Sequence, residues 1–465
     1  MEESNSFKKV IIIFIVILTL VVSSVFVITK TLKKEQKTSK PSRNETIIIN
    51  DDIEDIEEDE EEEEVEEETP SNPDILIAPI IEEPTPTKPE TTNSFNIPLI
   101  KKTNAYTNKK NYLISPYNIE LALNILRDGA DGNTKAEIDK LIGNRTITDV
   151  SVKDKISIAN GVFIKDIYKS NVKKDYYNVL KSKYNSDIIY DKFTTPDKIN
   201  NWVKEKTNNM IDNVVDELDK DFVMGLASAL AIDVKWYNQF ECNRTTSEKF
   251  TKANGNKINV EMMHNSYDHE IARYIKTDDV EGIALSYQKN NNIELEFIGL
   301  LPTSDVNTFI NNLTDDKLNS IINGGEIASS KLHINLSLPR FTYDYSVEKF
   351  KNILIDLGMK DAFDPDNANF KKMIELKQNV YVEKAVHKTH IELNEVGTKA
   401  AAVTYFGMDK NTALPMEQPK IVNIKFNKPF IYMIREKNSK ELLFFGVVYE
   451  PNIWKGSTCS NNDKL

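Results

Sequence analysis

The side chains best suited to acid–base or metal chemistry in this 465-residue chain are five histidines, His264, His269, His333, His387 and His390, and two cysteines. His264 and His269 fall in "HNSYDHE", where a metal pair is conceivable but a polar loop is the simpler reading. His387 and His390 lie three apart on an expected strand, and odd spacing sends them to opposite faces. They therefore do not share a metal, although one can be a buried hydrogen-bonding residue. No G-x-S-x-G, H-E-x-x-H, phosphate loop or G-x-G-x-x-G occurs. Cys242 and Cys459 have no zinc-like spacing; a domain this large has core enough to fold without bridging them, so two unpaired thiols are expected. The expectation is no enzyme, no cofactor and no metal.

A different kind of chemistry is suggested by "NEVGTKAAAVTYFGM", residues 394–408. One glycine precedes a run of residues mostly no larger than valine, and aromatics close it. Val403, Thr404 and Tyr405 are poor helix formers, while a central strand normally carries larger side chains. The stretch suits neither state alone.

The elements around it are conventional. "SPYNIELALNILRDGA" reads as a helix with Ser115 at its cap and Pro116 at the first position, where a missing N–H costs nothing. Ile119, Leu123 and Leu126 share one face, with Ala122 beside them. "INNWVKEKTNNMIDNVV" (199–215) reads as a second amphipathic helix that frays at its asparagines. Leu332, Ile334, Leu336 and Leu338 alternate with polar residues, as do Ile293, Leu295 and Phe297, giving strands with one buried face. The apolar runs of "KFNKPFIYMIREKNSKELLFFGVVYEP" flank a polar turn at Glu436–Glu441. Helices mostly early and strands mostly late predict an α+β fold.

The N-terminal part has another composition. Residues 10–28 carry no charge and are long enough to span a bilayer. An uncleaved signal anchor over 1–34 is the reading, ahead of a signal peptide cleaved after Ser23–Ser24 or a buried core helix. Lysines on both sides leave its orientation open. Between Asp51 and Glu68, 15 of 18 residues are acidic, a density that repels itself and cannot bury a core. With the proline-rich "APIIEEPTPTKPE", residues 35–90 form a stalk of roughly 40 Å or more. The stalk holds the acidity of the whole chain, so residues 91–465 are left at about +1 of the formal −13. That gives no case for nucleic-acid binding. Residues 91–455 are expected as one large domain and 456–465 as a polar tail.

Several stretches together resemble the serpin family, the serine-protease-inhibitor fold. They are "NYLISPYNIELALNILRDGADGNTKAEI", "INNWVKEKTN", Lys235-Trp236 followed by Phe240, "VYVEKAVHKTHIELNEVGTKAAAVT" and the C-terminal "KFNKPF…VVYEP". Their order and spacing agree over about 360 residues. The resemblance implies three β-sheets, about eight to nine helices and an exposed reactive-centre loop on a monomeric domain. It also implies a suicide mechanism. A protease cleaves the loop, whose N-terminal part then inserts as a new central strand of the main sheet and drags the acylated protease with it. The partner is then a serine or cysteine protease, the site an extracellular surface or, after signal cleavage, the secreted state.

On this resemblance the hinge comprises Glu395, Gly397, Thr398, Ala400, Ala401 and Ala402. Thr398, Ala400, Ala402 and Thr404 would face the core after insertion, and all four are small. Trp236 belongs to the breach, where the sheet first opens. Ser115, Asn118, Ser228 and His387 belong to the shutter, the polar cluster beneath the opening. Asn118 stands where a serine is usual and Ser228 where an asparagine is usual, as if the two had exchanged roles. Counting forward from Gly397 places the reactive bond at Asn411-Thr412, with Lys410 as the alternative; counting back from "KFNKPF" places it near Gln418. The alternative reading keeps the fold but loses inhibition, as a surface binding protein. Bulky or charged inward hinge residues would signal that, and Thr398 and the alanines are neither. "NRT" at Asn144 and Asn243, "NLT" at Asn312 and "NLS" at Asn335 are glycosylation acceptors where the host uses that pathway.

Overall fold

The early helix forms as its sequence dictates. Helix α2 (Pro116–Gly129) follows α1 (Asn96–Thr107), and Ser115 caps it by accepting from the Asn118 N–H. Its apolar face buries Ile119, Leu123 and Leu126. Gly129 ends it where a Cβ would sit 2.9 Å from Tyr176 and Met373, so only glycine allows that approach. The computed structural model describes residues 95–219, 222–347, 349–398 and 418–452. Helices α3 (Gly132–Ile142), α4 (Lys174–Tyr184), α5 (Asp197–Lys206), α6 (Val306–Asn311), α7 (Asp315–Asn323) and α8 (Phe350–Asp356) complete the α-helices among these residues.

The strands form three sheets. The main sheet runs β3 (Asp187–Asp191), β2 (Ile156–Lys165), β4 (Met224–Ile232), β14 (Lys384–Leu393), β15 (Gly397–Thr398) and β5 (Val234–Lys235), with β13 (Phe341–Ser346) beside β14. A second, seven-stranded sheet runs β1 (Tyr112–Ile114), β18 (Leu442–Val448), β17 (Phe430–Glu436), β10 (Leu295–Pro302), β9 (Val280–Ser286), β8 (Ala272–Lys276) and β11 (Glu326–Ile327). A small sheet runs β16 (Lys420–Lys425), β12 (Leu332–Pro339), β7 (Lys257–Tyr267) and β6 (Thr246–Thr251). The α+β expectation holds, with three sheets.

Continuous apolar runs become strands buried on both faces. Along β17, Ile431 and Met433 join one hydrophobic cluster while Phe430, Tyr432 and Ile434 join another. β12 keeps the alternation read from its sequence, with Leu332, Ile334, Leu336 and Leu338 buried. The helix expected over 199–215 stops at Lys206. Asn208 and Asn209 adopt φ of 51° and 60°, and the Thr207 hydroxyl accepts from the Ile211 N–H, so the asparagines end the helix outright. The segment beyond them, with Val214 and Val215, packs on the outer face of the main sheet.

Two expectations need correction or lie elsewhere. Cys242 is disulfide-bonded, not a free thiol. The sequence supplies one other cysteine, Cys459, outside the described residues. No helix among the described residues is long and apolar enough to cross a membrane; the apolar run 10–28, the acidic stalk and the tail 456–465 lie outside them.

Candidate functional site

The centre of the main sheet is a junction between two parallel strands. β4 and β14 pair in register from Gly225↔Lys384 to Leu230↔Thr389. Above Thr389 they part, and β15 occupies the opening, antiparallel to both neighbours. Thr398 lies opposite Leu393 on β14 and opposite Val234 on β5.

A tight turn delivers the chain there. The Asn394 side-chain oxygen accepts from the N–H of Val396 (3.0 Å) and Gly397 (3.2 Å), and the Asn394 N–H donates to the Gly397 carbonyl. Glu395 is buried, accepting from the Thr245 hydroxyl at 2.7 Å and from Arg340 Nη1 at 3.2 Å. Trp236 grips the same turn twice, through its backbone N–H to the Val396 carbonyl and its indole Nε1–H to the Asn394 carbonyl, each 2.9 Å. The Phe240 N–H donates to the Glu395 carbonyl. Gly397 is required by space: a Cβ there would meet the Val234 carbonyl oxygen at 2.1 Å. Its φ is not left-handed, so close approach, not backbone freedom, is what the position demands. Thr398 is already 1% exposed, with its hydroxyl 2.6 Å from that of Tyr287. Ala400, Ala401, Ala402, Lys410, Asn411 and Thr412 lie outside the described residues.

Beneath the junction sits a polar cluster. Asn118 Nδ2 donates to Ser228 Oγ at 2.7 Å, and Ser228 Oγ returns a bond to the Asn118 carbonyl at 3.3 Å. Asn160 Nδ2, from β2, donates to Asn118 Oδ1 at 2.7 Å. His387 Nε2 accepts from the Ser115 N–H at 3.0 Å, which places the ring proton on Nδ1. Burial pushes its pKa down to about 3, the Ser228 backbone pulling slightly the other way, so the imidazole is neutral. Ser228 and His387 are themselves register partners across the junction. The structure thus brings Ser115, Asn118, Ser228 and His387 together, and places Glu395, Gly397, Thr398 and Trp236 together at the top of the opening. Reading the sequence missed Asn160, Tyr287, Arg340 and Thr245. Asn160 alone carried a signal, as an amide inside the strand "SIANGVF".

A small void lies on each face of the junction. A cavity of about 10 Å³ lies on the inner side, against Leu226, Ser228, Ala385 and the α2 residues Ile119 and Leu123. A second of about 10 Å³ lies on the outer side, against Gly225, Ala227, Val386 and Phe222. The remaining histidines stay apart. His390 is on the opposite face from His387 and pairs with Asp344 at 2.9 Å, while His264 bonds Ser337, Thr246 and Glu248. No group of three or more His, Cys, Asp or Glu among the described residues is arranged to hold a metal.

The family model described as serpin (serine protease inhibitor) matches residues 90–451. A serpin-like protein of Methanosarcina acetivorans is 26% identical over 365 residues, covering 74% of this chain and 82% of that protein. Mouse neuroserpin is 27% identical over 370 residues, 74% of this chain and 86% of its own length. The crystal structure of the thermophilic serpin tengpin in its native state aligns with a TM-score of 0.67 at 31% identity, covering 77% of this chain and 93% of that one.

Proposed function

The chain belongs to the serpin family, and from that membership we propose that it inhibits proteases by suicide trapping. A serine or cysteine protease attacks the loop that follows Thr398 and is acylated. The freed loop segment then threads between β4 and β14, carrying the protease away before deacylation. One observation carries this reading: Gly397–Thr398 is seated between β14 and β5, antiparallel to both.

The seated register can be continued without a shift. Leu393↔Thr398 and Thr398↔Val234 extend downward to place Thr404 opposite both His387 and Ser228, which are already each other's partners. Thr404 would bring a hydroxyl to the polar cluster. Tyr405 would come level with Val386 and Ala227, and Phe406 level with Ala385 and Leu226, residues that line the two cavities. This accounts for small residues followed by aromatics. The first inserted residues enter the opening above Thr389, where small side chains avoid overpacking; the last come level with the two small voids. About 15 inserted residues, bonded on both sides at about 1 kcal/mol net per hydrogen bond, give on the order of 10–20 kcal/mol before ordering entropy.

We further read residues 10–28 as an anchor and 35–90 as a stalk, displaying a monomeric inhibitory domain on an extracellular surface. The test incubates the full chain with a panel of serine and cysteine proteases, followed by denaturing gels, intact mass and residual activity. A heat- and detergent-stable complex with a peptide released from one position, Asn411-Thr412 or its Lys410 neighbour, is expected for a serine protease. A cysteine protease is expected to lose activity even where its thioester complex does not survive the gel. Clean loop cleavage with every protease left active overturns the proposal.

A further inference from the structure

The turn from Asn394 to Gly397 is held by its own asparagine and by Trp236, Phe240, Thr245 and Arg340, whereas the side chain of the residue that enters the sheet is held by one that no motif pointed to. Tyr287 follows β9 and is 3% exposed. Its ring stacks on Trp236 at 4.5 Å and 8° between planes, and its N–H donates to the Leu295 carbonyl at 3.0 Å. With ring and backbone both fixed, its hydroxyl has little room to move, and it lies 2.6 Å from Thr398 Oγ1. Both hydroxyls are buried. Among the described residues, each is the hydrogen-bond partner the structure gives the other.

We propose that Tyr287 is a positioning residue whose hydroxyl holds Thr398 in the upper opening of the main sheet in the intact, uncleaved chain. Insertion then starts from a seated residue and proceeds by extension. Its importance for trapping rests on the inhibitory reading above; the seat itself does not. The physical reason is the asymmetry of buried hydrogen bonds. Removing one hydroxyl strands the other in a buried site, while removing both leaves two surfaces that still fit. A free hinge would instead expose both groups to water. The pair therefore favours the seated state only when both hydroxyls are present, and it distinguishes threonine or serine at 398 from valine or alanine.

The experiment is hydrogen exchange, read by mass spectrometry on the intact full chain, for the parent, Tyr287→Phe, Thr398→Val and the double variant. The Trp236 and Phe240 amides donate to the Val396 and Glu395 carbonyls, so their exchange reports whether the turn is in place. Each single variant is expected to speed exchange at 236, 240 and 396–398 by about five- to tenfold. The double variant should return to within about twofold of the parent, and Thr398→Ser should match the parent. Unchanged exchange in both singles, or a double variant showing the product of their effects, overturns the proposal. Where Tyr287→Phe disturbs the stack on Trp236, Thr398→Val leaves that stack intact and decides alone. With a protease that the parent traps, Thr398→Val should also raise the ratio of cleaved to trapped inhibitor. A parent chain that traps no protease overturns the inhibitory reading and leaves the exchange result standing.

Discussion

Exchanging Asn118 and Ser228 is the sharpest perturbation of the cluster beneath the junction. Asn118→Ser removes an amide that donates to Ser228 Oγ and accepts from Asn160 Nδ2, both at 2.7 Å. Both partners are buried; Ser228 Oγ keeps its bond to the Asn118 main-chain carbonyl, so Asn160 Nδ2 is the group left unpaired, at about 1–3 kcal/mol. The single change should therefore lower stability by about 1–3 kcal/mol. Ser228→Asn fails for a different reason. It forces a larger side chain into a closed slot, at about 1–3 kcal/mol, and sets one amide against another. The double variant restores one hydroxyl and one amide in the same space. Asn160 lies directly across from Ser228 in the β2–β4 register, so an amide at 228 can still reach it. We expect the double variant to be more stable than either single, with a coupling of about 1–3 kcal/mol. Urea unfolding midpoints of the four proteins, compared at a common slope, give the cycle. A double variant whose loss equals the sum of the two singles within about 0.5 kcal/mol refutes the idea of exchanged roles.

Two further outcomes test the hinge and the histidine. Thr398→Arg places a guanidinium in a slot where the threonine is 1% exposed; burying an unpaired charge there should leave the loop cleavable but reduce the trapped-to-cleaved ratio by about tenfold or more. An unchanged ratio on quantified gels counts against the hinge assignment. His387 predicts a pH dependence. Its pKa is about 6.5 unfolded and about 3 folded, so below about 6.5 the unfolded state binds the extra proton. Its contribution is fully present above that pH and is lost as pH falls through the window to about 3, at up to about 1.4 kcal/mol per unit. His387→Gln should flatten the fall in unfolding midpoint between pH 6.5 and 4, and an equal slope in both proteins would remove the histidine as its source.

How much of the fold and site was legible in the sequence depended on whether a residue's role was local. α2 was readable because cap, proline and apolar face lie within one segment. β12 was readable because alternation is a property of one strand. The helix over 199–215 was overextended because its stop is made by left-handed asparagines, which composition reads only as fraying. Tyr287 and Arg340 were invisible for a stronger reason. Their meaning comes from residues 111 and 55 positions away in the chain, and neither sits in a pattern that marks it. The Cys242 bond was misread because core size argues only that a bridge is unnecessary, not that it is absent.

The outer face of the junction sets the order of events that insertion must obey. Along "MGLASALAI" of β4, Gly225, Ala227 and Ala229 alternate with Leu226, Ser228 and Leu230. Ala227 and Ala229 lie under the segment after α5, in one cluster with Val214, Val215 and Phe222. A Cβ on Gly225 would come within 2.9 Å of the Phe222 ring, so this face is pared down to let that segment lie close. The segment also crosses to β14, where Lys384 reaches the Glu217 carbonyl at 3.4 Å and Lys388 the Asn213 carbonyl. A strand entering between β4 and β14 must therefore pass beneath it. The two lysine contacts are exposed and contribute little, whereas the apolar underside is buried and resists separation. On the trapping mechanism, the upper opening admits residues as far as Thr389 and Leu230 without disturbing this cover. Beyond that point the cover must lift as the parallel pairs part, and it must settle again over Val403 and the larger Tyr405, which the same register brings level with Ala229 and Ala227. The small outward side chains of β4 thus serve the closed sheet, whereas on the trapping mechanism the open sheet must also make room for Tyr405 beneath the same cover.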